Sequence, residues 1–371
     1  MNYHFIPSVQ HMAGVKIALA MYYDKDIENV LEAEIKLPFR DRCLERDRLE
    51  LWNLIEMKTV EKLSFLPNLL NVKLSKCIRP IHEETCQWIR DHKSLLKLSF
   101  ANCYLTCKTI LCWKVNGTIN RMKTAKKLVQ DKNIDAKTRF AIACTYFLEG
   151  EVLSLWYRNN KVNVLSIPRN ATNAAMRFWM KHLRKGYWRK NSWKAMINRY
   201  FEIPSIKRSE IPLRISCFFP YLSSEAKKGY FPYLDYGSVC HQDDFRLCMQ
   251  IMDERERMEL FSTYPAYSLF CCLDWPFQSL FMEMAHRLWS HMNQYQFHAV
   301  LDHIVMNYIL KGLDGFDYVE LLKEFWRLIP ASFKAEIKKT KKYFLAIHVA
   351  LNYDKENTSL SLPETLEKYV W

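Results

Sequence analysis

Glycine is scarce in this chain, with only 8 in 371 residues. Turns of the Asn-Gly or Asp-Gly type, which join the strands of β-hairpins, occur at Asn116-Gly117 and Asp314-Gly315 alone. A strand-rich protein of this length needs many more such turns. The 13 prolines stand mostly between periodic segments, where proline ends one helix or begins the next. These features exclude a strand-rich fold and favour an all-α protein.

Long uncharged stretches are also missing. No uncharged run approaches the roughly 18 residues that a membrane span needs, so we expect no transmembrane segment. The apolar run Met12–Tyr23 is interrupted by Lys16 and follows no basic residue, which argues against a signal peptide. The 12 cysteines are spread through the chain without any Cys-x-x-Cys pair, so we expect reduced, buried thiols. We predict an intracellular protein, in the cytoplasm rather than the nucleus.

Helical periodicity is plentiful, and it is clearest between Asp135 and Trp156. Five apolar residues recur there at steps of three, one, three and one, which places them on one side of a helix. They are Phe140, Ala143, Cys144, Phe147 and Leu148. Asp135 is predicted to cap this helix, and Gly150 to interrupt the run before a second stripe at Val152, Leu155 and Trp156. The sequence therefore predicts a helical hairpin.

Similar patterns extend along the whole chain. Residues 8–36 read as two helices, the first with an inward stripe that begins at Val9 and passes through Met12, Ala13, Ile17 and Ala20. Thr118 is predicted to cap the helix after the Asn116-Gly117 turn, and Ser361 with Glu364 forms a capping box. Leu-Trp pairs at 51, 155 and 288 have no fixed spacing, so no regular repeat is supported.

These observations predict an irregular array of stacked antiparallel helices, similar to a helical-repeat protein but without a fixed period. We divide it into a helical array over 1–204, a packed Pro- and Tyr-rich connector over 205–240, and a second array over 241–371. One continuous domain over 1–371 remains the alternative. The sequence sets no oligomeric state.

Three stretches carry a family resemblance: Pro7–Met21, Cys112–Ala125 and the hairpin from Asp135 to Trp156. They resemble an uncharacterised family of α-helical proteins that is expanded in arachnids, most clearly over about residues 1–160. The resemblance implies a helical fold. It implies no catalytic motif, cofactor or substrate.

Acidic residues are nearly absent from Lys161 to Arg214. This basic segment holds thirteen Lys or Arg against two Glu, a net charge of +11 in a chain whose total is +14. Basic side chains interleaved with aromatic ones suit a surface that contacts phosphates and stacks on bases. The alternative is that the aromatics face the core, since Trp193, Met196, Ile197, Tyr200 and Phe201 have core spacing. Six residues are the candidate polyanion site: Lys181, Arg184, Lys185, Arg189, Lys190 and Arg199.

The sequence supports a metal site or a nucleophile among its cysteine and histidine clusters less well than it supports the polyanion site. His82 with Cys86, and Cys103 with Cys107, are four residues apart and can each offer two ligands to zinc, but their neighbours are core-forming. Cys240-His241, near Asp243 and Asp244, is better explained as an acid-capped helix start. The steps between His286, His291, His298 and His303 do not put all four on one face. We therefore predict no metal, cofactor or catalytic residue.

Three classes of function remain. The favoured one is a non-enzymatic helical scaffold that binds a protein partner, because stacked amphipathic helices expose long surfaces. The alternative is binding of nucleic acid or another polyanion through residues 161–214. An enzyme whose site is assembled only in three dimensions is the third class.

Overall fold

A computed structural model describes residues 8–36, 45–158, 174–185, 195–196, 200, 219–224, 227, 248–249, 251–313, 315–339, 341–353 and 361–370. Within these ranges the protein is 78% helical and has no strand. This confirms the predicted all-α class and exceeds the helix content of about a third that is usual for globular proteins. The repeat-like character and the division at 204 and 240 stay predictions, because most of the connector lies outside the described residues.

The helices divide between two compact units. The first unit covers the described residues of His82–Met252, and the second joins those of Phe5–Ile81 to those of Asp253–Trp371. In chain order the helices before residue 186 are α1 Val9–Tyr22, α2 Lys25–Lys36, α3 Glu45–Lys62, α4 Asn68–Ser75, α5 Ile78–Leu96, α6 Phe100–Cys107, α7 Arg121–Gln130, α8 Ala136–Thr145, α9 Glu149–Arg158 and α10 Ala174–Lys185. Those after residue 250 are α11 Glu254–Thr263, α12 Pro265–Leu273, α13 Phe281–Leu288, α14 Gln294–Ile304, α15 Tyr318–Leu328, α16 Ala331–Lys339, α17 Lys341–Leu351 and α18 Leu362–Val370.

The first unit is built around the predicted hairpin. Asp135 caps α8 as expected, since its carboxylate accepts from the backbone N–H groups of Lys137 and Thr138, both at 3.0 Å. α8 packs against α7, α9 and α10. All eight apolar residues of the two predicted stripes are buried. The stripe prediction is therefore confirmed.

Two local predictions in this unit were wrong. The hairpin turns at Phe147, which has a φ of 50°, while Gly150 lies inside α9. Leu148 N–H donates to Ala143 carbonyl at 2.9 Å, the six-to-one hydrogen bond of a Schellman helix end. The cap of α7 is Asn120, whose side chain accepts from Lys123 N–H. The hydroxyl of Thr118 donates instead to the Asn116 side chain at 2.8 Å.

The second unit is built from segments far apart in the sequence. Arg79 donates to the carbonyl oxygens of Gly312 and Lys311, at 2.8 and 3.1 Å. The His11 ring lies 5.0 Å from the ring of Trp275. These contacts join the N-terminal helices to the last third of the chain within one unit.

Helix α14 is the centre of the C-terminal part of the second unit. It packs against α12, α15, α16 and α17. Phe297, Val300, Leu301 and Ile304 recur at helical spacing, and all four are fully buried. The capping box of Ser361 and Glu364 at the start of α18 is present as predicted.

The predicted inward stripe of α1 was wrong. Val9 is 77% exposed, and the buried residues are Val15, Ala18 and Tyr22. This helix is apolar on nearly every side, so periodicity does not fix which side faces the core. Packing against α2 and α4 decides it.

Candidate functional site

Helix α10 carries the described part of the predicted basic face. Its exposed side chains are Arg177, Lys181 and Arg184, and every other described side chain between 175 and 184 is buried. Spacings of four and three residues place the three cations on one side of the helix. The sequence of this helix contains no acidic residue. The result is a cationic stripe on a helix that is otherwise core, which we call the basic face of α10.

The aromatic residues of this region lie under the basic face. Phe178, Trp179 and Tyr200 are buried, and their rings surround Phe147 at centroid distances of 6.2, 5.8 and 4.7 Å. Burial raises the pKa of the Tyr200 phenol, so this group stays neutral. Met196, another of the predicted core residues, is buried as well. The described aromatics thus serve packing, and none of them is available to stack on a base.

Phe147 connects the helix hairpin to this aromatic layer. A left-handed φ costs a non-glycine residue about 1–2 kcal/mol. Burial of an aromatic ring is worth more than this, since Phe→Ala changes in cores cost about 3–5 kcal/mol. The ring contacts with Phe178, Trp179 and Tyr200 therefore hold Phe147 in a conformation that its backbone disfavours. α10 is fixed to α8 through the same contacts.

The structure brings together two of the six predicted polyanion-site residues, Lys181 and Arg184, and adds Arg177. The backbone of Lys185 ends α10, but its side chain lies outside the described part of the chain. Arg189, Lys190 and Arg199 lie outside it too, as do Trp193, Ile197 and Phe201. The role of these residues stays a prediction.

A buried polar cluster on α5 was missed by sequence reasoning. The Arg121 guanidinium at the start of α7 donates to the Asp91 carboxylate at 2.5 Å, and both side chains are almost fully buried. Gln87 donates to the other oxygen of Asp91 at 2.9 Å. Asp91 and Arg121 are 30 residues apart, so no local spacing in the sequence predicts the pair.

The same helix carries a second buried pair. His92 stacks on Trp88 with ring centroids 4.1 Å apart, and its Nε2 lies 2.5 Å from the Tyr146 hydroxyl at the end of α8. Two helical turns before His92, the Glu84 carboxylate accepts a hydrogen bond from the backbone N–H of Ile119 at 3.1 Å. These contacts connect α5 to α7, to α8 and to the turn before α7. The arrangement fixes helices relative to each other within the first unit.

The cysteine and histidine candidates do not form a metal centre among the residues that the structure describes. Cys86 Sγ lies 3.2 Å from His82 Nε2, but no third His, Cys, Asp or Glu completes a ligand set there. The hydrogen bond with Cys107, together with burial, raises the pKa of the Cys103 thiol. Nine described cysteines are free, and eight of them are buried. They behave as small core residues.

The other suggested clusters are separate or lie beyond the described ranges. Cys240, His241, Asp243 and Asp244 fall outside them. His286 lies on α13 and His291 in the 3₁₀ turn that follows, whereas His298 and His303 are on α14. His303 stacks on Phe270 at 4.3 Å, and burial lowers its pKa.

Comparison with known proteins adds no assignment. The sequence matches no protein-family model, and searches of the curated proteins and of the solved structures find no match. The resemblance to the arachnid-expanded helical family stays a prediction. Among the described helices, none is long and apolar enough to cross a membrane.

Proposed function

We propose that the protein is a non-enzymatic helical scaffold that binds an acidic segment of a partner protein through the basic face of α10. The observation that carries this proposal is the composition of that face: the exposed positions Arg177, Lys181 and Arg184 are all basic, while the other described side chains of the helix are buried. A helix anchored in this way presents its charges on a rigid support. Rigid presentation lowers the entropy cost of binding.

The spacing of the charges favours a structured acidic partner. Seven residues of α-helix span about 10 Å, so the cations from Arg177 to Arg184 cover roughly two turns. Glutamates at the same spacing on a partner helix face them one for one. Complementary charge also speeds the encounter with such a partner.

Nucleic acid is the alternative, supported by the net charge of +11 over residues 161–214. Single-strand binders add aromatic stacking platforms to their basic grooves. Here Phe178, Trp179 and Tyr200 are in the core, which removes them from that role. The described part of this segment is left with charge alone, and charge alone suits an acidic protein surface.

Two further observations support an intracellular scaffold. The buried polar residues of α5 contact neighbouring helices, as a rigid support requires. The free, buried thiols suit a reducing compartment, in keeping with a cytoplasmic location.

Fluorescence anisotropy on the full chain tests the proposal. The probes are a helical peptide with glutamates at steps of four and three, an isomer with the same glutamates dispersed around the helix, and a DNA duplex. We expect the ordered peptide to bind best. The pair Lys181→Gln and Arg184→Gln should weaken its binding about tenfold, because each exposed ion pair contributes up to about 1 kcal/mol.

A matched control is Lys126→Gln with Lys127→Gln, two exposed lysines on α7 of the same unit. It removes the same charge and should leave peptide binding nearly unchanged. Equal weakening by both pairs would mean that only net charge matters. The nucleic-acid alternative would be favoured if the protein bound DNA more tightly than the peptide. In that case Lys181→Gln with Arg184→Gln should also make DNA binding less dependent on salt.

A further inference from the structure

A π-helix, Val305–Ile309, follows α14 directly in the second unit. The N–H of Leu310 donates to the Val305 carbonyl at 2.8 Å, five residues back instead of the usual four. The N–H of Leu313 donates in the same pattern to the Tyr308 carbonyl, at 3.0 Å. Such turns are rare in proteins and frequently lie at functional sites. This one therefore needs a physical reason.

Three polar side chains span the π-helix: His303 before it, Asn307 within it and Lys311 after it. Lys311 Nζ donates to Asn307 Oδ1 at 3.1 Å, so the amide oxygen of Asn307 faces the lysine. The amide nitrogen of Asn307 then lies 3.0 Å from Nδ1 of His303. An amide NH2 group can only donate, so Nδ1 carries no proton and accepts this hydrogen bond. The chain of two hydrogen bonds therefore requires a neutral His303 ring.

A protonated His303 cannot complete this chain. Both ring nitrogens then carry hydrogen, so Nδ1–H faces the amide NH2 of Asn307, and two donors meet. Reversing the amide turns its oxygen to His303, but the NH2 group then faces the Lys311 ammonium, which is also a donor. One of the two hydrogen bonds is lost in either orientation.

The surroundings of His303 oppose its protonation on balance. Burial lowers its pKa below 6.5, Asp274 at the end of α12 raises it, Lys311 lowers it and the neighbouring Asp302 raises it. Tyr308, whose ring lies 5.7 Å away, donates its hydroxyl to Asp274 at 2.6 Å. Among the described residues of α15, α16 and α17, no charged group interacts with the ring. His303 is therefore neutral above pH 6.5 and takes up a proton in acid.

We infer that the hydrogen-bond chain of His303, Asn307 and Lys311 is a pH switch, which holds the π-helix while His303 is neutral and releases it when His303 is protonated. Histidine suits this role because its charge changes within the physiological pH range. The carbonyl oxygens of Lys311 and Gly312 follow the π-helix and accept from Arg79. Release therefore loosens the contact between the N-terminal helices and the last third of the chain. The switch is separate from the basic face of α10, which belongs to the first unit.

Hydrogen exchange of the full chain at pH 7.5 and pH 5.5 tests the switch. The readout is the protection factor of the peptide 305–313, which contains the amides of Leu310 and Leu313. Division by the rate of the unfolded peptide at each pH removes the intrinsic pH dependence of exchange. In wild type, protection should fall with pH, by up to about tenfold per pH unit below 6.5, because one proton is linked to opening. His303→Gln takes up no proton there, so its protection should not change.

Asn307→Asp separates the switch from a general effect of acid. A carboxylate can accept from Lys311 and from protonated His303 together, so the chain is complete in the charged form. Protection in this variant should stay constant or rise from pH 7.5 to pH 5.5. Circular dichroism at pH 7.5 checks that both variants keep the wild-type helix content.

Three outcomes would overturn the inference. The first is a loss of protection in Asn307→Asp as large as in wild type. The second is wild-type protection that is constant or rises in acid, since protonated His303 would then be stabilised, for example by Asp274. The third needs no variant: ¹⁵N NMR of the wild-type ring of His303 at pH 7.5 should place the hydrogen on Nε2, and a hydrogen on Nδ1 would contradict the chain.

Discussion

Asp91 and Arg121 form a buried ion pair, in which the guanidinium donates to the carboxylate at 2.5 Å and neither side chain is more than 6% exposed. The pair connects the C-terminal part of α5 to the first residue of α7. A buried charge that loses its partner stays desolvated without compensation, which costs about 3–5 kcal/mol. Loss of either partner alone should therefore destabilise the folded protein strongly.

Removing one member of this pair should be far worse than removing both. We expect Asp91→Ala or Arg121→Ala to lower the free energy of unfolding by about 3–5 kcal/mol. The double variant Asp91→Leu with Arg121→Met should lose much less, because no buried charge remains. Urea unfolding of the three variants measures the coupling. Additive losses would contradict the buried-pair interpretation.

Lys97 offers the opposite case, a substitution that should stabilise. It ends α5 with a φ of 56°, and Leu98 N–H donates to the Lys93 carbonyl across it. Its side chain is exposed, so Lys97→Gly removes backbone strain with little loss of contact. We expect a gain of about 0.5–1 kcal/mol. Lys93→Gly, inside the same helix, should instead lose about 1 kcal/mol. Thermal unfolding compares the two, and a loss for both would show that Lys97 is unstrained.

Cys77 should be slow to react although it is the most accessible of the described thiols. Burial raises its pKa to about 11, so about one thiol in a thousand is ionised at pH 8. Alkylation by iodoacetamide, followed by peptide mass spectrometry, should accelerate about tenfold per pH unit from pH 8 to pH 10. Denatured protein provides the reference rate. Levelling off near the ordinary thiol pKa of 9.0 would refute the shift.

His303 should make stability depend on pH. Burial lowers its pKa below 6.5, so the unfolded chain binds more protons than the folded one in that range. Its contribution is therefore present above pH 6.5 and is lost as the pH falls from 6.5 through the folded pKa. The slope reaches at most about 1.4 kcal/mol per pH unit.

His303→Gln should flatten the dependence of the unfolding free energy on pH below 6.5. Burial raises the pKa of Asp302 above 3.8. Its contribution to the unfolding free energy therefore falls as the pH rises from 3.8 through the folded pKa, which is opposite in sign to that of His303. Because the charge of His303 also acts on Asp302, His303→Gln is compared with wild type a second time in an Asp302→Asn background, which removes that contribution.

The spacing of apolar residues and the capping residues predicted the helices. Contacts between residues far apart in the sequence determined the features that these local patterns did not predict. Asp135 acts within its own helix end, so its cap was readable from the sequence. The sequence suggested a hairpin turn at Gly150. The left-handed residue is instead Phe147, because its ring packs against residues of α10. The stripe of cations on α10 follows from spacing alone. The pair of His92 and Tyr146, which are 54 residues apart, depends on how α5 meets α8.

The composition of the second unit affects how the chain folds during synthesis. That unit needs residues from Phe5–Ile81 and from Asp253–Trp371, whereas the described residues of the first unit all lie within His82–Met252. At about 5–20 residues per second, the ribosome needs on the order of ten to thirty seconds to make the intervening stretch. The first unit can fold in that interval, whereas the hydrogen bonds of Arg79 to Gly312 and Lys311 form only after that later segment has been made.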